Sequence, residues 1–119
     1  MAEFRLSATA EADIIALLTW TETRFGDAAR HRYQDLLVAG LNDIATDPER
    51  LGSLSRPELG VGVRSYHLFY SREKARSPAG IVRRPRHFLL YRPILSGVIG
   101  VGRVLHDAMD AERHVPLEC

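Results

Sequence analysis

The chain has 119 residues, 45% of them hydrophobic and 26% charged, which is enough apolar material for one domain with its own core and excludes a disordered chain. No apolar run approaches membrane-spanning length, and the opening M-A-E-F-R-L-S lacks the basic-then-apolar order of a secretory leader, so a cytoplasmic protein without membrane partners is expected. The single cysteine, Cys119, excludes an internal disulfide and a cysteine-based zinc site, and the formal net charge is +1.

Phe4 and Leu6 alternate with charged residues, which predicts a short strand over Glu3 to Leu6. Ser7 stands where a helix N-cap belongs. From Ala8 to Phe25 the residues Ile14, Leu17, Leu18, Thr21 and Phe25 recur at three and four positions and predict one buried helical face. Gly26 suits the C-terminal cap and Asp27 the cap of a second helix, Ala28 to about Thr46, whose stripe is Tyr33, Leu36, Leu37, Gly40, Leu41 and Ile44. Pro48 stops that helix, and the short Gly26-Asp27 joint implies an antiparallel hairpin. Gly40 would let helix or sheet approach closely.

Residues 48 to 62, with Pro48, Gly52, Pro57, Gly60 and Gly62, read as a loop carrying at most one helical turn near Glu49 to Leu51. Val63 to Tyr70 is aromatic and β-branched enough for a strand. A basic connector, Arg72 to Arg86, turns at Ser77-Pro78-Ala79-Gly80, and His87 to Arg92 forms the next strand. After a turn with Ser96-Gly97 at its tip, Val98 to His106 returns antiparallel. Strict alternation there puts Ile99, Val101, Arg103 and Leu105 on one face. Val98, Gly100, Gly102, Val104 and His106 take the other, where the glycines leave room for a helix. The order β-α-α-β-β-β makes residues 1–119 a single α+β domain.

Charge is divided along the chain. Residues 1–50 hold five basic residues against nine acids, a net of −4, whereas residues 51–119 hold eleven against six, a net of +5. Between Arg64 and Arg92 the only acid is Glu73, facing Arg64, Arg72, Lys74, Arg76, Arg83, Arg84, Arg86 and Arg92. Such a region attracts an acidic partner: nucleic acid, an acidic protein segment or an acidic protein face. Direct nucleic-acid binding is the least favoured of these, because few aromatic residues accompany the arginines.

Several segments together resemble the ParE-type toxins of the RelE/ParE toxin–antitoxin superfamily. F-R-L-S-A-T-A-E-A-D-I at Phe4 to Ile14 is similar to that family's opening strand, serine and helix start, although a proline often stands at the place of Ala8. R-F-G at Arg24 to Gly26 and a helix centred on Tyr33 follow. R-H-F-L-L-Y-R at Arg86 to Arg92 resembles the family strand R-H-x-I-x-Y-R, and R-V-L-H-D-A-M-D-A-E-R-H at Arg103 to His114 resembles its C-terminal signature. The likeness implies a RelE/ParE-like fold, an N-terminal strand and helical hairpin packed on a small antiparallel sheet. It also implies a toxin neutralised by a cognate ParD-like, ribbon-helix-helix antitoxin, with DNA gyrase as target. The connector at 72–86 is longer than the loop the family commonly has there.

RelE relatives cleave messenger RNA at the ribosome, which makes an endoribonuclease the alternative reading, and a non-toxic antitoxin-binding module the third. RNA cleavage needs a proton acceptor, a proton donor and cations for the charged phosphate, supplied in RelE-like enzymes by lysines, arginines and a late tyrosine. Here Lys74 is the only lysine and no tyrosine follows Tyr91. Histidine could substitute if the sheet gathered His67, His87, His106 and His114 with Arg64, Arg92 and Arg103.

His106, Asp110 and His114 would share a helical face. Neighbouring Arg103 and Arg113 oppose a cation there, so no metal and no cofactor is expected. With no catalytic residue assigned, the expected target or regulatory contacts are Arg64, Arg92, Arg103, His106, Met109, Asp110 and Arg113. Phe69, Tyr70 and Tyr91 are candidates for the antitoxin groove, although core packing is the favoured role for each.

Overall fold

The computed structural model describes residues 3–78 and 80–109. β1 (Glu3–Leu6) leads into α1 (Ala8–Phe25), with Ser7 accepting the Ala10 N–H at 3.0 Å as the expected cap. The same hydroxyl donates to the Gly102 carbonyl at 2.9 Å, so one side chain starts the helix and ties it to the last strand. Gly26 ends α1 at a φ of 95°, and its N–H bonds the Glu22 carbonyl. It also holds the N-cap position of α2 (Asp27–Thr46), so Asp27 falls inside the helix and makes no side-chain cap. Asp47 turns extended ahead of Pro48 and closes α2.

The two helices pack on one face of a five-stranded sheet of β1, β2 (Ser53–Ser55), β3 (Arg64–His67), β4 (His87–Leu95) and β5 (Val98–His106), in the order β1-β5-β4-β3-β2, so the α+β class and the RelE/ParE-like arrangement hold. The sheet is mixed, because β1 runs parallel to β5 (Val98–His106), with Glu3 opposite Val98 and Leu6 opposite Val101. A tight hairpin forces antiparallel pairing only between strands adjacent in sequence, and no such turn joins these two. β2 (Ser53–Ser55) is an extra strand inside the expected loop, paired antiparallel to β3 (Arg64–His67). At three residues among prolines and glycines it is too short to show any alternation.

β3 stops earlier than expected. His67 Nδ1 accepts the Phe69 N–H at 3.1 Å and turns Leu68–Ser71 into a 3-10 helix, so Phe69 and Tyr70 leave the sheet. β4 (His87–Leu95) runs past Arg92, accommodating Pro93 through a register shift between Pro93 and Leu95.

A second shift breaks the expected alternation of β5. Leu90 faces Arg103 but Tyr91 faces Val101, leaving Gly102 bulged, and so Ile99, Val101 and Val104 all enter the main core. Leu105 joins Leu90 in a smaller cluster under Leu59, Val63 and Phe88. Gly100 makes no bed for a helix, since a Cβ there would lie 3.0 Å from Ile94. Gly40 does give close approach: a Cβ on it would meet Leu68 Cδ2 at 2.6 Å.

Leu17, Leu18 and Thr21 of α1 and Leu36, Leu37, Leu41 and Ile44 of α2 are buried as their spacing predicts. Phe25 is not. It is 65% exposed and packs edge-on against Trp20, with ring centroids 5.7 Å apart. Beneath α2, buried Asp43 accepts bonds from Lys74 at 2.7 Å and Ser71 at 2.7 Å and pairs with Arg50 at 2.9 Å. Burial opposes its charge, but the bonds from Lys74, Ser71 and Arg50 prevail and lower its pKa. The basic connector is thereby anchored to the acidic half of the chain. Among the described residues, no helix is long and apolar enough to cross a membrane.

Candidate functional site

Three strands end on a histidine at the same rim of the sheet: His67 on β3, His87 on β4 and His106 on β5. The register sets His87 opposite His106, with rings edge-on at 5.3 Å, and His67 opposite Phe88. Asp107, the next residue along, closes the rim. Its N–H donates to the Arg86 carbonyl at 2.7 Å, and its carboxylate receives Arg86 Nε at 2.9 and 3.0 Å and Nη2 at 2.7 Å. His67 Nε2 lies 3.1 Å from the same carboxylate. The Arg86 bonds hold the Asp107 carboxyl well below the usual carboxylate range against the cost of desolvation, with His67 assisting.

His87 is tied from the helical side. The Tyr33 hydroxyl accepts the Arg86 N–H at 3.3 Å and shares a hydrogen bond of 2.7 Å with His87 Nδ1. Burial, helped by the neighbouring His106, brings the His87 pKa down to about 4, and burial pushes the Tyr33 hydroxyl up to about 12. His106 Nδ1 accepts the Ala108 N–H at 3.1 Å. General acid–base work needs groups poised near neutrality and within reach of a substrate. The groups whose acidity the fold changes at this rim are all moved away from neutrality.

The residues expected as target contacts are divided. Arg64 donates Nε to the Ser53 hydroxyl at 2.7 Å and pins β2 to β3. Arg103 ion-pairs with Asp13 at 2.7 and 3.0 Å, while Asp13 also takes the Val104 N–H at 3.0 Å, closing the edge of β5 beyond the end of β1. Arg92 is half-buried, and its Nε has no hydrogen-bond partner. His106 and the exposed Met109 line a common cavity with Asp13, Ala16, Leu17 and Trp20. Asp110, Arg113 and His114 lie outside the described residues. Among the described residues, no three His, Cys, Asp or Glu side chains gather in a group that could hold a metal ion.

Of the three aromatic residues expected in the antitoxin groove, Phe69 and Tyr70 are about half exposed. Their rings meet edge-on at 5.5 Å, and the Arg72 guanidinium lies 3.6 Å over Phe69. With Leu51 and Leu54 they line a groove of about 770 Å³. Tyr91 corrects that set. It is fully buried, and its hydroxyl donates to the Pro48 carbonyl at 2.6 Å, because β4 turns it toward the helices.

A second surface was hidden in the sequence. Trp20, Phe25, Ala29, Arg32, Tyr33, Ile81, Val82, Arg84, Arg86, His87 and His106 enclose a cleft of about 380 Å³. The cavity of about 300 Å³ that holds Met109 adjoins it, sharing Trp20, His87 and His106. Trp20 was the available signal: a large aromatic residue off the apolar stripe of its helix is either misassigned or exposed for a reason. Arg86 and Asp107 carried none, since nothing in a sequence shows that a connector residue meets the residue after the last strand.

A family model described as "ParE toxin of type II toxin-antitoxin system, parDE" matches residues 4–111. Among solved structures the chain is similar to one titled "Chromosomal ParDE TA system from P. aeruginosa", at a TM-score of 0.61 and 15% identity over 89% of this chain and 96% of that one. At that identity the likeness is one of fold. No curated protein matches the chain.

Proposed function

Since the chain belongs to the ParE toxin family of type II toxin–antitoxin systems, we propose that it arrests growth by binding DNA gyrase stoichiometrically, and that a cognate antitoxin neutralises it by covering its exposed grooves. The observation that carries a binding mechanism over RNA cleavage is the state of the histidine rim. Asp107 is committed to Arg86 and His67, and His87 to Tyr33, so these side chains are engaged as ties between strands and helix. The only lysine, Lys74, is likewise held by Asp43.

On this reading Arg92, His106 and Met109 contact the target, together with Asp110 and Arg113. Arg64 and Arg103 support that surface through Ser53 and Asp13. Phe69 and Tyr70, with Leu51 and Leu54, form part of what the antitoxin covers. Target and antitoxin would both be met in the cytoplasm.

Purified toxin should block supercoiling by gyrase in proportion to its concentration relative to the enzyme, and antitoxin should restore it. Growth arrest accompanied by cleavage of ribosome-bound messages, with supercoiling intact, would replace this reading with the endoribonuclease. Loss of that arrest in a His67→Ala/His106→Ala variant would strengthen the replacement. Unaffected growth on expression without antitoxin would reduce the chain to a partner-binding module.

A further inference from the structure

We infer that β2 is a self-pairing edge: two copies of the chain join antiparallel through Ser53–Ser55 and extend the sheet from five strands to ten. Such pairing needs only the fold and is independent of the toxin–antitoxin reading. Of the sheet's two edges, β1 presents exposed Glu3 and Arg5, charges that discourage a further strand from pairing there. β2 carries no charge, and a short uncharged edge is open to a partner strand.

The ground around β2 holds the most exposed large apolar side chains among the described residues. Val61 is 93% and Leu51 86% exposed, and Leu54, on the strand itself, is 62% exposed. Leu51 and Leu54 also line the groove of about 770 Å³, together with Phe69, Tyr70 and Phe88. Apolar side chains gathered at an open edge mark a surface to be covered.

Sequence, ladder and charge all point to a second copy as the occupant. Ser-Leu-Ser reads the same in both directions, so a two-fold axis at Leu54 sets leucine against leucine and each serine against a serine. The Arg56 N–H donates to the Val63 carbonyl at 2.8 Å, and by alternation the Ser55 N–H points away from β3. So does the Ser53 carbonyl, which the Arg64 guanidinium reaches only at 3.4 Å. Each Ser55 N–H then meets the Ser53 carbonyl of the other copy, one bond on either side of the paired leucines. Arg56 and Asp107 in the groove wall are already paired with Glu58 and Arg86, so neither sign of charge calls in a foreign partner. A formal net charge of +1 gives two copies little mutual repulsion. The pair belongs to the free toxin, because an antitoxin that covers Leu51 and Leu54 would separate it.

Sedimentation of the full-length toxin, freed of antitoxin, should show monomer giving way to dimer as concentration rises. Leu54→Lys and Ser55→Lys, both at exposed positions, should each weaken that dimer by about tenfold or more while circular dichroism and melting temperature stay those of the parent. Directly opposed side chains on antiparallel strands stand about 4.5–5.5 Å apart at Cβ, within reach of a disulfide. Cys119 is the only cysteine, so a Cys119→Ser/Leu54→Cys chain has one thiol, and diamide should lock it into a covalent dimer. Cys119→Ser/Ile15→Cys, with its thiol at an exposed position of α1, should stay single under the same treatment.

A toxin that remains monomeric at every concentration would overturn the assignment. So would a dimer that both lysine variants leave intact and that oxidation of the Leu54→Cys chain fails to lock, since the copies would then meet by another face. Should the lysine variants fail to fold, the cross-link decides alone.

Discussion

Burial of His87 between Tyr33 and His106 makes one residue the source of a distinct acid sensitivity. With its pKa brought down to about 4 in the fold and at its ordinary value of 6.5 in the unfolded chain, the unfolded state binds the extra proton between those limits. Stability should therefore fall as pH drops through that window, by about 1–2 kcal/mol between about pH 7 and about pH 5 after allowing for partial solvent contact. Denaturant unfolding at the two pH values checks this, and a His87→Phe variant should lose the slope. Asp107 has a lowered pKa of the carboxylate kind, so its contribution persists through that window and is lost only in stronger acid. Asp43 is the costlier residue to alter: Asp43→Ala strands the largely buried Arg50, and thermal or urea unfolding should show a loss of about 3 kcal/mol. Residue by residue, sequence reading worked best where periodicity governs, as with Leu36, Leu41 and Ile44. It failed at Phe25, whose exposure depends on where its helix ends.

At the scale of elements, two polar side chains of the first helix close the part of β5 that β1 is too short to cover. Ser7 takes the Gly102 carbonyl and Asp13 the Val104 N–H, so both sides of the ladder are satisfied beyond the fourth residue of β1. Asp13→Ala should therefore destabilise by about 2–3 kcal/mol, more than an exposed ion pair is worth, and hydrogen exchange at the Val104 amide should rise with it. Ser7→Ala should cost about 1–2 kcal/mol by urea unfolding, since it removes a cap and a tertiary bond together. The helices and the β4–β5 hairpin were legible because caps, stripes and the Ser96-Gly97 tip leave marks in the chain. β2 left none at three residues. The bulge at Gly102 could not be foreseen either, because glycine at alternate positions looks the same whether it flattens a strand or dislocates it.

For the whole molecule, the opposed charges of the two halves of the sequence are not opposed in space. Asp13 meets Arg103, and Asp43 meets Lys74, which draws the acidic helices against the basic half and leaves arginines such as Arg84 at the surface. Association with an acidic antitoxin should accordingly slow several-fold between low and physiological ionic strength while dissociation changes little, as stopped-flow mixing would measure. The parallel pairing of β1 with β5 also bears on how the toxin comes into being. Among the described strands the first to be made pairs with the last, so a ribosome that has passed the helical hairpin still carries a chain with no neighbour for β1. Translation cut short before Val98 can yield helices but not this sheet, nor the histidine rim at its end. A fold closed in that order stays incomplete until β5 has been made, and an antitoxin already present has that interval in which to be waiting.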